Sequence, residues 1–202
     1  ASLTPAPNVI VPLNSAGILD LSATYVKSNV YTFRRVNLTG AVNDYELQVG
    51  EEAIIQFSGE TTKPLRIATV EGIYEFIFRF DRTTTMGNIA LYPNNTAYSD
   101  SIEWCVIYHH PNTSSPHYYR TTLNQFTFDH VPEGSIAKGY ISTYTTCKKT
   151  IYTMEAFFQD TLRTFPFIAG HSWMDQTTPW TSLGTIQSNA SLNGHIIIRR
   201  LV

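Results

Sequence analysis

From Gly72 to Phe80 the chain alternates with a period of two, placing Tyr74, Phe76, Phe78 and Phe80 on one side and Ile73, Glu75, Ile77 and Arg79 on the other. A backbone that turns every second side chain to the same face is a β-strand. The aromatic face must therefore enter a core, while Glu75 and Arg79 face water or pair across strands. Residues 53–59 alternate in the same way, and 102–108 read as another strong strand. Further β-rich segments are 30–36, 44–52, 89–92, 122–128, 135–144 and 150–154. Gly, Pro, Asn and Thr clusters separate them, as in Asn37-Leu38-Thr39-Gly40, Pro93-Asn94-Asn95-Thr96 and Val131-Pro132-Glu133-Gly134. About ten to twelve such segments, with no helical period between them, indicate an all-β, antiparallel domain of the β-sandwich or jelly-roll kind.

Two segments near the C-terminal end, 181–186 and 194–202, read as strands that pair around 188–193. Only 155–162 has the composition of a short helix, lacking Gly and Pro until Pro166 stops it. The Pro-rich residues 1–8 cannot begin a helix and read as an extended arm. Residues 9–202 then form one domain, the default for a chain of 202 residues.

Composition narrows the function classes. Lys and Arg number 14 against 16 Asp and Glu, giving a net charge of -2, and the basic residues are scattered. Phosphate-backbone recognition needs a concentrated cationic surface, so nucleic acid is not an expected partner. No apolar run reaches the length of a membrane span, and the N-terminal residues lack the pattern of a secretory signal, which points to synthesis in a cytosol. In that setting Cys105 and Cys147 read first as buried thiols, with a disulfide between them left open.

No catalytic motif stands out, and a non-enzymatic protein without a cofactor is expected. His109, His110, His117 and His130 are the one histidine concentration, but their spacing fits no metal-ligand pattern, and 109–119 reads as an exposed loop. His171 and Ser172 are adjacent, so a strand sends them to opposite faces, and no nucleophile elbow surrounds the serine. Asp81, Asp100, Glu103 and Asp129 are the acids that a glycosidase pair would draw on, yet every β protein carries such acids, most of them as turn caps or solvated carboxylates. The aromatic residues Trp104, Trp173, Trp180, Tyr108, Tyr118 and Tyr119 either fill the core or include a stacking platform for sugar rings. For the platform, Tyr118 and Tyr119 beside His117 are the candidate glycan-binding residues.

Several turns and strand ends carry a resemblance. Residues 36–52, 65–75, 91–99 (beginning Leu91-Tyr92-Pro93-Asn94-Asn95-Thr96), 180–186 and 194–201 (Gly194-His195-Ile196-Ile197-Ile198-Arg199-Arg200-Leu201) resemble small structural proteins of tailed bacteriophages. The resemblance implies a virion component made in the host cytoplasm. It would sit on the tail, a fibre or the head surface, present in repeated copies that contact one another and other tail or capsid subunits. Leu3, Pro5 and Pro7 of the arm are then the candidate assembly contacts. The alternative reading is a recognition module for a host-surface glycan.

Overall fold

The computed structural model describes residues 33–39, 43–81, 87–97, 101–108, 117–131, 135–144, 149–160, 163–175 and 177–202. They belong to one unit, Phe33–Val202. The arm 1–8, with Leu3, Pro5 and Pro7, lies outside the described residues.

The all-β expectation holds. The strands are β1 (Arg34–Val36), β2 (Tyr45–Glu46), β3 (Glu51–Pro64), β4 (Ile67–Ala68), β5 (Ile73–Asp81), β6 (Gly87–Tyr92), β7 (Ile102–Tyr108), β8 (His117–Leu123), β9 (Phe126–Val131), β10 (Ser135–Ser142), β11 (Lys149–Asp160), β12 (Arg163–Trp173) and β13 (Thr185–Arg200). Eleven of them form one sheet whose main path runs β1-β3-β13-β5-β10-β11-β12-β7-β8. Pairing is antiparallel except between β1 and β3 and in the small β2–β4 sheet.

The long strands β3 and β13 organise the sheet. The second half of β13 pairs with β5 from Asn193 to Arg200, while its first four residues, Thr185 to Ser188, pair with β6. Both halves also pair with β3, and the register shifts where Gly59 sits between Ser58 and Glu60. Gly59 has φ 93° and Gly194 has φ 127°, conformations that suit a residue without Cβ at an irregularity in the ladder. Beyond this bend, β6 pairs with β9, and β9 lies against β7 and β11 without pairing to them. The core fills with Ala53, Ile55 and Phe57 from β3, Tyr74, Phe76 and Phe78 from β5, Ile196 and Ile198 from β13, and Ile89, Leu91 and Phe126 from β6 and β9.

Three expectations need correction. Residues 155–160 are strand, not helix. Residues 156–160 pair with 163–167 of β12, β10 pairs only with Thr150 to Met154, and a bulge between Thr153 and Ala156 absorbs one extra residue. Ladder pairing here overrides local helix preference. Pro166 stands opposite Phe157 of β11, and among the described residues pairing of β12 to β7 begins at Phe167, one residue beyond it. The segments 181–186 and 194–202 are not two strands of a hairpin; residues 185–200 form the single strand β13, its polar middle spanning the bend. Residues 122–128 are not one strand but the end of β8 and the start of β9, broken at Asn124-Gln125.

Candidate functional site

β7 and its neighbours define the surface of interest. Ile107 pairs with Tyr118 of β8 and Ile168 of β12, and Cys105 pairs with Arg120 and Gly170. Strand alternation therefore lays two rows across the outer face, Tyr118–Ile107–Ile168 and Arg120–Cys105–Gly170. The inner face carries Ile102, Trp104 and Val106 of β7 with Ala169, His171 and Trp173 of β12, all buried.

The outer rows are open. Tyr118 is 74% exposed, Ile107 46% and Ile168 47%, a contiguous apolar strip where a sheet normally presents polar groups to water. Cys105 is a free, exposed thiol, contrary to the expected buried one, because it shares the face of Ile107; Cys147 lies outside the described residues. Arg120 forms an ion pair with Glu103 on the same face. A Cβ built at Gly170 would meet nothing within 4 Å, so the β12 side of the second row is a notch. Among the described strands, β8 is paired on one side only and leaves an edge beside the strip.

The candidate glycan residues divide. Tyr118 stands on the open face. Tyr119 and His117 are strand residues opposite Val106 and Tyr108, so residues 117–119 belong to β8 and not to a surface loop. Their side chains, and His109, His110 and His130 with them, lie outside what the structure describes. Ile107 and Ile168 escaped the sequence reading. The signal for Ile107 was present: an isoleucine in step with Glu103 and Cys105, on the face opposite Ile102, Trp104 and Val106.

The tryptophans are core residues, not a platform. Phe126 stacks on Trp180 at 5.2 Å, Trp180 meets Trp173 edge-on at 5.8 Å, and His171 packs edge-on to Phe126 at 5.4 Å. His171 is 2% exposed, its Nε2 lies 3.2 Å from the Thr127 amide nitrogen, and burial pushes its pKa down to about 3. It is a neutral pin between β12 and β9. Lys149 is also buried, its Nζ 4.1 Å from the centre of the Trp173 ring and donating to the Thr178 carbonyl. Burial lowers its pKa, and the Asp175 carboxylate opposes that shift.

Glu52 and Glu75 are committed to ion pairs. Arg35, Glu52, Arg199 and Glu75 stand side by side on β1, β3, β13 and β5, and Lys138 of β10 completes an alternating row. Arg199 donates to Glu52 at 3.0 Å and to Glu75 at 2.9 Å. Burial alone would raise both carboxyl pKa values, but hydrogen bonds from Arg199 and Arg35 to Glu52, and from Lys138 and Arg199 to Glu75, hold both below the ordinary range. Neither is suited to donate a proton as a general acid near neutrality. Of the glycosidase candidates, Glu103 is paired with Arg120; Asp100 and the side chains of Asp81 and Asp129 lie outside the description. Among the described residues, no group of three or more His, Cys, Asp or Glu side chains is arranged to hold a metal, and no helix is long and apolar enough to cross a membrane.

The chain matches no protein-family model, no curated protein and no solved structure.

Proposed function

We propose that this chain is a non-enzymatic structural component of a tailed-bacteriophage particle, placed on the tail, a fibre or the head surface, and that it assembles with copies of itself and with other virion subunits. The observation that carries the reading is the exposed strip Tyr118–Ile107–Ile168 beside the edge of β8 that is unpaired among the described strands. Exposed isoleucines on neighbouring strands favour a protein contact, because they offer apolar area and no hydrogen bonds to a polar ligand. The arm 1–8 would add a second contact, and repeated copies would multiply modest ones.

The test is density-gradient sedimentation with assembled particles. Stoichiometric co-migration of the full chain, lost on deleting residues 1–8 while the domain stays folded, supports the proposal. Sedimentation of the full chain as free protein refutes it. The exposure of Tyr118 favours a second reading, recognition of a host-surface glycan by stacking on the phenol ring. Tyr118→Ala should then abolish signal on a glycan array without lowering the melting temperature, and retained signal rules this reading out.

A further inference from the structure

We infer that the outer face of β8, β7 and β12 docks a second copy of this chain, outer face to outer face, about a two-fold axis running along β7 through Cys105. The inference takes its role from the assembly reading above, but its test needs only purified protein, so the two can fail separately.

The argument is one of shape and charge. An isologous contact requires a surface complementary to itself, so what protrudes on one side of the axis must meet a recess on the other. The two rows are arranged in that way around β7. On the β8 side stand the large side chains Tyr118 and Arg120; on the β12 side stand Ile168 and the notch over Gly170. Rotation about β7 lays each Tyr118 on the second copy's Ile168 and each Arg120 over the second copy's Gly170. Ile107 meets its own counterpart at the axis, and so does Cys105.

Charge follows the same symmetry. Glu103 lies on β7 near the axis, ion-paired with Arg120 of its own chain. In the pair of copies each Glu103 has its own Arg120 on one side and the second copy's Arg120 on the other. Two cations and two anions then close a neutral cluster next to the apolar row. The whole outer face of three strands over the length of β7 is about 14 Å wide and 23 Å long from strand spacing and rise, or roughly 300 Å² per copy. That is well below a standard stable interface, so the contact is weak alone and gains from multiplicity in an assembly.

A weak contact is best trapped, and Cys105 at the axis allows it. In a Cys147→Ser background, a short bismaleimide should join two chains through their Cys105 thiols by addition, forming a covalent dimer. Ile107→Lys and Gly170→Trp, the second filling the notch from an open position, should each slow dimer formation by about tenfold or more. Circular dichroism and thermal melting confirm that each variant folds. Sedimentation velocity of the chain with both cysteines intact supplies a measurement free of the Cys147 change. It should show a concentration-dependent rise in sedimentation coefficient that Gly170→Trp abolishes. Crosslinking at the same rate in folded Ile107→Lys and Gly170→Trp overturns the inference. So does a chain that stays monomeric and uncrosslinked at every concentration, as a face reserved for a glycan would.

Discussion

His171→Gln should remove much of the acid sensitivity of this domain between neutrality and about pH 5. In the folded protein His171 is sealed between Phe126, Trp104 and Thr127, and its pKa is pushed down to about 3 from an ordinary value of 6.5. The native state therefore refuses a proton that the unfolded chain accepts, and stability falls as pH drops from 6.5 towards 3. The gap of about 3.5 units corresponds to a limit of roughly 5 kcal/mol, lost at about 1.4 kcal/mol per pH unit. Between pH 7 and about pH 5 the expected loss from this one group is about 2 kcal/mol. That window lies above the ordinary carboxylate pKa of 4.5, so Glu52 and Glu75, whose contributions disappear only below it, do not confuse the reading. Glutamine keeps a polar group near Thr127 but does not titrate. Urea unfolding followed by the fluorescence of Trp104, Trp173 and Trp180, at both pH values, measures the difference. If wild type and His171→Gln lose the same stability between them, burial of a neutral imidazole is not the source of the acid sensitivity.

Removing the centre of the charge row should cost more than removing its end. Arg199→Met leaves Glu52 and Glu75, both largely buried, without the cation they share, and should destabilise by about 2 kcal/mol, whereas Arg35→Met, at the exposed end, should cost under about 1 kcal/mol. Chemical denaturation at neutral pH checks the ranking. Gly184→Ala should cost more than about 3 kcal/mol, because Gly184 has φ 89° and a Cβ there would fall on the Tyr92 carbonyl oxygen. Gly59→Ala, at φ 93° with nothing within 4 Å, should cost only about 1 kcal/mol, and equal costs measured by thermal melting would show that backbone crowding is not what separates the two sites.

Alternation carried most of the fold into the sequence. The face of β5 bearing Tyr74, Phe76 and Phe78 is buried, and Glu75, on the other face, pairs across strands as its position required. The helix assigned to 155–162 and the hairpin assigned to 181–202 failed for a shared reason. Both depend on pairing, with the adjacent 163–167 in the first case and with the distant β3 and β5 in the second, and local composition does not report pairing. Residues 156–160 are strand because 163–167 of β12 pair with them, and β13 is continuous because β3 bends with it at Gly59. The surface strip was half legible. Tyr118 drew attention as an aromatic, but pairing it with Ile107 and Ile168 needed the register of β8, β7 and β12, and Pro166 hid β12 itself.

The position of β13 between β3 and β5 has a consequence for biosynthesis. β3 emerges from the ribosome early, yet the strand that pairs along its length begins roughly 120 residues later, a delay of about 6 to 24 seconds at ordinary translation rates. During that interval β10, β11 and β12 can close as a local meander, while β3 holds a long hydrogen-bonding edge with little to cover it. A nascent chain is thus sticky until β13 arrives, and truncated products that lack β13 cannot close the sheet. Only copies carrying that strand close the sheet, so synthesis of β13 is the step that lets β3 and β5 join into one folded unit.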